Sequence, residues 1–227
     1  MAFNYSPKIV TDGLVLYLDA ANSKSYVSGS TTWNDISRGG NNGTLTNGPT
    51  FNSANGGSIV FDGTNDYVQA NATNSSYFSL SVWVKYSQFF SDNQGYPIII
   101  NNTSPSNGYM LYQSTDFPYN RAKIFVVTTS LKALDTITLL STNIWYNIVS
   151  TYDGSFIRLY LNGTLDNSIS QTGTVISNPG SLLIGKLSYA SSYFNGNVSN
   201  TQIYNRALTA QEVLQNYNAT KTRFGLT

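Results

Sequence analysis

Residues 145–163 read WYNIVSTYDGSFIRLYLNG, and this stretch decides the fold. In residues 156–161 the apolar side chains Ile157, Leu159 and Leu161 alternate with the other three, which is the period of a β-strand with one buried face. The Asp153-Gly154 pair tolerates the positive φ of a tight turn, so it separates this run from the one at 145–152. The stretch therefore predicts a β-hairpin.

The same pattern of short apolar runs and turns continues along the chain. Residues 78–86 (FSLSVWVKY) place Leu80, Val82 and Val84 on one face. Further strands are predicted at 14–19, 58–61, 67–70, 97–101, 109–113, 123–128, 136–140, 181–186 and 198–204, with a short one near 44–46. About a dozen strands at this spacing predict an all-β fold, a two-sheet antiparallel β-sandwich of the jelly-roll kind.

One short C-terminal helix is predicted at about 210–217. Thr209 and Glu212 have capping-box spacing, and Val213, Leu214 and Tyr217 follow at helical spacing. Residues 9–219 then form one domain. Residues 1–8 are interpreted as an N-terminal arm and residues 220–227 as a C-terminal tail, and both are candidates for contacts with neighbouring subunits.

The composition excludes several classes of function. The 227 residues include no Cys and no His, which removes thiol nucleophiles, disulfides and most transition-metal sites. The net charge is +1 and the 12 basic residues are scattered, so we expect no nucleic-acid partner. No apolar run is long enough for membrane insertion, and residues 1–8 show no apolar signal-peptide core.

The acidic residues predict no catalysis but leave room for calcium. Glu212 is the one Glu and is assigned to the helix cap, and no predicted strand carries two acids on one face, as glycosidases of this architecture do. We therefore expect no enzyme and no required cofactor. Calcium needs only oxygen ligands, so Asp62, Asp66 and Asp153, at strand ends or turns, are candidate calcium ligands; turn capping is the alternative.

Aromatic residues in loops are the candidates for ligand binding. Tyr189, Tyr193 and Phe194 cluster within residues 187–196, and Tyr119 belongs to another aromatic cluster. Such rings can stack on sugars, and ordinary packing of loops over the sandwich is the alternative.

Four segments together resemble the laminin-G-like, concanavalin A-like lectin/glucanase domains. They are residues 59–68 (IVFDGTNDYV), 78–84 (FSLSVWV), the hairpin at 145–163, and 196–209 (GNVSNTQIYNRALT), and the resemblance spans about residues 10–219. It implies the sandwich and a lectin-like role. The catalytic acids of the glucanase members have no counterpart. Ser199, Asn200 and Asn147 also depart from the family pattern, which weakens an inherited calcium site.

A narrower resemblance is to virion structural proteins of tailed phages. It is carried by residues 12–22 (DGLVLYLDAAN), 32–37 (TWNDIS) and 215–225 (QNYNATKTRFG). It implies a capsid decoration protein, a fibre or a tail appendage at the virion surface, assembled in the host cytoplasm without a signal peptide.

The sequence thus predicts a non-enzymatic phage virion surface protein with a lectin-like domain, which either decorates the particle or binds host-surface glycans. Its expected partners are other virion proteins of the capsid or tail and host-surface polysaccharide, and a homo-oligomer stays open. The alternative is a carbohydrate-binding module or bacterial adhesin of the same fold, and a third reading is a glycoside hydrolase.

Overall fold

The computed structural model describes residues 7–71, 73–92, 94–102, 104, 106–177 and 180–227. Residues 1–6 of the predicted N-terminal arm lie outside the described residues. The strands are β1 (Leu14–Asp19), β2 (Thr32–Trp33), β3 (Gly43–Thr46), β4 (Thr50–Asn52), β5 (Ser58–Asp62), β6 (Tyr67–Asn71), β7 (Phe78–Tyr86), β8 (Tyr96–Asn101), β9 (Tyr109–Gln113), β10 (Ala122–Val127), β11 (Leu131–Asp135), β12 (Trp145–Tyr152), β13 (Phe156–Leu161), β14 (Thr164–Ser170), β15 (Ser181–Ile184) and β16 (Asn195–Tyr204).

These strands form two antiparallel sheets, which confirms the predicted sandwich. The first sheet has the order β14-β13-β12-β7-β16-β5-β4, and β1 pairs with the second half of β16 beside β5. The second sheet has the order β11-β10-β9-β8-β15-β6-β3-β2. None of the helices formed by the described residues has the length and apolar character of a membrane span.

The core between the sheets is built from the alternation seen in the sequence. Leu80, Val82 and Val84 of β7 are fully buried there, as are Ile157 and Leu159 of β13. The predicted hairpin forms with β12 and β13 in register from Ile148↔Leu161 to Tyr152↔Ile157. Since each such side chain removes apolar surface from water, this two-layer contact supplies the main stabilisation.

The outer face of the first sheet is covered by the C-terminal part of the chain. Helix α1 (Ala210–Thr220) continues into a 3₁₀ helix (Lys221–Phe224). Trp83 of β7 points outward, and its ring stacks on that of Phe224 with centroids 3.9 Å apart. Its indole Nε1 donates to Thr220 Oγ1 at 2.8 Å. Much of the segment predicted as a tail, 220–227, therefore packs against the sandwich.

The helix begins with the predicted capping box. Thr209 Oγ1 accepts from the backbone N of Glu212, and the Glu212 carboxylate accepts from the backbone N of Thr209 at 2.8 Å. Arg206 adds a bidentate ion pair, with Nη2 and Nη1 at 2.6 and 2.9 Å from the two Glu212 oxygens. The helix runs to Thr220, three residues beyond the predicted end.

One predicted strand is misplaced, and the short strands β2 and β4 and the longer strand β14 were not predicted. The strand predicted at 136–140 is wrong, because the strand here is β11 and the chain turns after it. The Asp166 carboxylate accepts hydrogen bonds from the backbone N atoms of Ile137 and Thr138, so these two N–H groups are not available to pair with a neighbouring strand. The strand β14 was missed because it is an edge strand with few large apolar residues, so its alternation is weak.

The Glu212 ion pair predicts a pH-dependent stability. The Arg206 hydrogen bonds, against the opposing effect of burial, lower the pKa of Glu212 from 4.5 to about 2. This contribution is complete above pH 4.5 and is lost as the pH falls towards 2. We expect Glu212→Gln to lower the free energy of unfolding at neutral pH by about 1–2 kcal/mol, allowing for solvent screening. Urea denaturation of both proteins across pH 2–7 measures it, and a difference independent of pH contradicts the assignment.

Candidate ligand-binding groove

The outer face of the second sheet carries a small apolar cluster separate from the main core. Strand alternation sends Leu111 and Ile124 into the core, whereas Met110, Tyr112 and Phe125 point outward. The segment after β15 lies over this face and holds Leu187 and Tyr189 against it. The hydroxyl of Ser192 donates to the carbonyl of Gly95 at 2.6 Å and ties this segment to the start of β8.

Three neighbouring hollows cross this face, and together we call them the groove. The apolar hollow, of 320 Å³, is lined by Gln94, Gly95, Met110, Tyr112, Thr115, Leu187, Tyr189, Ala190 and Ser192. The middle hollow, of 280 Å³, is lined by Tyr67, Gln69, Asn102, Gly180, Ser181, Leu183, Lys186 and Ser188. The polar hollow, of 350 Å³, is lined by Asn42, Thr44, Thr46, Gln69, Ala70, Asn71 and Ser181. Gln69 and Ser181 line both the middle and the polar hollow. Within residues 186–189, Leu187 and Tyr189 line the apolar hollow, and Lys186 and Ser188 line the middle hollow.

Tyr189 is the exposed aromatic side chain of the apolar hollow. It is 45% exposed, and its hydroxyl lies 3.7 Å from Met110 Sδ. Partial burial raises the pKa of its phenol. Its ring therefore offers an apolar face to a ligand together with a protonated hydroxyl, a combination suited to amphipathic molecules.

The side chains of the middle hollow are held by one another. Ser188 Oγ donates to Asn102 Oδ1 at 3.2 Å, and Asn102 Nδ2 approaches Met110 Sδ at 3.8 Å. The Lys186 ammonium lies 4.4 Å from the centre of the Tyr67 ring, a cation–π contact. In the polar hollow, Gln69 Nε2 donates to Ser181 Oγ at 2.9 Å. Apart from Lys186, the polar side chains of the groove are uncharged amides and hydroxyls.

A charged cluster lies next to the apolar hollow. Lys123 is 5% exposed and stands opposite Tyr112 on one side and Asp135 on the other. Its Nζ contacts Asp116 Oδ2 and lies 3.4 Å from Asp135 Oδ2. Burial, with the nearby carboxylate of Asp135, raises the pKa of Tyr112, so its hydroxyl stays protonated. The cluster fixes the floor of the groove at this end.

The structure separates the four predicted ligand-binding residues. Tyr189 lines the apolar hollow. Phe194 is 1% exposed and packs on Phe61 and Tyr86 in the core, so the prediction that it contacts a ligand is wrong. Tyr193 is half-buried and lines none of the three hollows. Tyr119 contacts the ring of Phe117, whose centroid is 6.1 Å away, and also lies outside the groove lining.

Most of the groove is not apparent from the sequence. Its outward-facing residues come from β3, β6, β9 and β15, and only the register of these strands brings them together. The alternation of side chains within the predicted strands does indicate which of their residues face outward, and these are the candidates for the groove. Thr44 and Thr46, for example, flank the inward-facing Leu45.

The three predicted calcium ligands do not converge. Asp62 and Asp66 meet across a turn, where Asp66 Oδ2 accepts from the Asp62 backbone N at 3.2 Å. Asp62 lies near the end of β7 at Tyr86, whereas Asp153 lies near the other end at Phe78. Nine strand residues separate these ends by about 27 Å. Among the described residues no group of three acids could hold a metal.

Each of these carboxylates already has hydrogen-bond partners. Asp62 Oδ1 accepts from the backbone N of Thr64 at 2.8 Å, and this bond lowers its pKa. Burial raises the pKa of Asp66. Asp153 caps its hairpin turn and pairs with Arg158, and these bonds outweigh burial and lower its pKa. The geometry is that of turn capping.

Fold and groove together define a lectin-like, two-sheet sandwich domain. The chain belongs to the Concanavalin A-like lectin/glucanases superfamily, whose Laminin_G_3 family model matches residues 62–214. A search of curated proteins gave no match.

Several solved structures share this fold. Domain 4 of AbnA, a GH43 extracellular arabinanase from Geobacillus stearothermophilus, solved in complex with arabinotriose, superposes with a TM-score of 0.72 at 15% identity, covering 92% of this chain and 100% of that domain. The botulinum neurotoxin type G receptor-binding domain superposes with a TM-score of 0.69 at 19% identity, covering 91% of this chain and 51% of that domain. The binding domain of Paraclostridial Mosquitocidal Protein 1 superposes with a TM-score of 0.70 at 17% identity, covering 91% of this chain and 52% of that domain. The chain spans about half of these two toxin domains.

Asp62, Asp66 and Asp153 already accept hydrogen bonds from the protein, so we expect that calcium does not stabilise the folded state. We expect the same melting temperature with excess EDTA and with millimolar calcium, measured by calorimetry. An ion bound to the folded state at a hundred times its Kd would add about 2.7 kcal/mol, which such a scan detects readily. A rise in melting temperature with calcium that Asp62→Asn abolishes would contradict the turn-capping assignment.

Proposed function

We propose that this chain is a non-enzymatic glycan-binding domain at the surface of a phage virion, where it serves as a capsid decoration, fibre or tail appendage. The single observation that carries the binding role is the groove, in which the exposed ring of Tyr189 lies in line with uncharged amides and hydroxyls. A carbohydrate presents apolar C–H faces and many hydroxyl groups, so it matches both halves of this surface.

The size of the groove supports an extended glycan over a single small ligand. Each hollow holds about 300 Å³, which is at the lower end of small-molecule sites. Because the hollows lie side by side on one face, and two of them share Gln69 and Ser181, successive sugar units of one chain can occupy them in turn. The complex of the similar arabinanase domain with arabinotriose is consistent with this role.

The acids near the groove support a non-enzymatic role. Glycoside hydrolysis needs two carboxylates on either side of the scissile bond, one of them able to supply a proton. Asp116 and Asp135 both contact the ammonium of Lys123. The lysine therefore occupies the space between them where a glycosidic bond would have to lie.

The virion setting is supported by the resemblance of residues 12–22, 32–37 and 215–225 to tailed-phage structural proteins. Its partners would then be capsid or tail proteins on one side and host-surface polysaccharide on the other. The alternative is a carbohydrate-binding module or bacterial adhesin, which would use the same groove outside a virion.

Removal of the exposed ring tests the groove. We expect Tyr189→Ala to weaken binding to glycan-array hits at least about tenfold, because the exposed stacking face of the apolar hollow is lost. Tyr77→Ala is the matched control, since Tyr77 is 43% exposed and lies outside the groove lining. Equal loss in both variants, or no loss in Tyr189→Ala, would contradict the assignment.

The virion role is tested on particles. Mass spectrometry of gradient-purified phage that carries this gene should recover the chain in a fixed ratio to the major capsid protein, and cryo-EM should locate it at the surface. A chain that stays in the lysate while particles remain intact would exclude the virion role and favour the adhesin or binding module, with the groove unchanged.

A further inference from the structure

A further hollow, separate from the three of the groove, opens at the edge of the sandwich, between the two sheets. We call it the edge pocket. It holds 540 Å³ and is lined by Tyr26, by residues of β3 and β4, and by the loops 28–31 and 47–49. At the opposite side of the sandwich, the edge strands β11 and β14 come into contact and close the gap. Here the edges stay apart, so the space between the sheets is accessible from solvent.

The floor of the edge pocket is apolar and firmly held. It consists of Tyr26, Leu45 and Phe51, each packed against the main core. The rings of Tyr26 and Phe51 lie 5.5 Å apart, and the Tyr26 hydroxyl donates to the carbonyl of Ser30 at 3.0 Å. The backbone N of Leu45 donates to the carbonyl of Thr31 at 2.8 Å, which fixes the loop beside it. The pocket therefore exists before any ligand arrives.

The rim of the edge pocket carries polar groups without charge. Ser28, Thr31 and Thr50 are exposed, and within the described residues their hydroxyls form no hydrogen bond to another protein group. None of the described residues that line the pocket is charged at neutral pH. Gly29 and Gly48 have no neighbouring atom where a side chain would project, so the entrance is open.

From this geometry we infer that the edge pocket is a second carbohydrate site, specific for a neutral sugar. Aromatic and aliphatic groups form the floor for a C–H face of the sugar, and free hydroxyls ring the rim for its OH groups. A sugar acid would lose hydration of its charge with no cation in the lining to compensate. The inference is independent of the groove, because no residue lines both.

The two sites lie on opposite faces of one strand. Thr44 and Thr46 of β3 line the polar hollow of the groove, whereas Leu45 between them forms part of the edge pocket. A single domain could then hold two segments of glycan at once. This raises the effective affinity for a dense polysaccharide above that of either site alone.

Leucine methyl NMR tests the second site and separates it from the first. Leu45 reports on the edge pocket, and Leu187 reports on the apolar hollow of the groove. The probes are neutral trisaccharides of glucan, arabinan, galactan and chitin, with trigalacturonate as the acidic probe and hexanol as the apolar one. We expect at least one neutral trisaccharide to shift Leu45 saturably, and trigalacturonate to leave it unchanged.

A pair of matched variants completes the test. Thr31→Trp should fill the rim and weaken the Leu45 response about tenfold while the Leu187 response is kept. Thr164→Trp, at an exposed position on β14, should change neither. The second site would be contradicted if the sugars shift Leu187 and not Leu45. It would also be contradicted if Leu45 responds to hexanol and to no sugar. Neither result would contradict the proposed groove. Leu45 shifts without Leu187 shifts would support the second site and contradict the proposed groove.

Discussion

Strand β7 is buried on both faces, and the rest of the molecule is arranged around that constraint. On one face Leu80, Val82 and Val84 meet the second sheet, and on the other Trp83 lies under Phe224. A strand with no access to water must find partners for all its backbone groups. The neighbours β12 and β16 supply them along its whole length. The hairpin, the long β16 and the C-terminal helix are each needed to complete this environment.

The second sheet is under a weaker constraint, and this is where binding surfaces can form. Its inner face must match the core, whereas its outer face is only partly covered, among the described residues, by the segment after β15 and by the loop that holds Asp116. Side chains on that face can change without altering the packing between the sheets. The groove uses this freedom, and β3 shows it within three residues, where one side chain faces inward and its two neighbours face outward.

The sequence was sufficient for the fold because the decisive signals are local. The alternation in β7 and β13, the Asp-Gly turn and the Thr209 capping box each lie within about ten residues. The errors have long-range causes. Asp166 turns the chain at Ile137, 29 residues away, and Phe194 is buried by Phe61 and Tyr86, more than a hundred residues earlier. The groove could be predicted only in part, since the register that assembles it joins residues 42 to 192.

Both described ends of the chain attach to the same side of the sandwich. The carbonyl of Lys8 accepts from Gln215 Nε2 of α1 at 2.7 Å, and Arg223 pairs with Asp19 of β1 at 2.6 Å. These contacts lie with the helix on the outer face of the first sheet, whereas the groove crosses the outer face of the second. A partner attached near either described end would therefore lie on the first-sheet side of the domain, and the groove would face away from that partner.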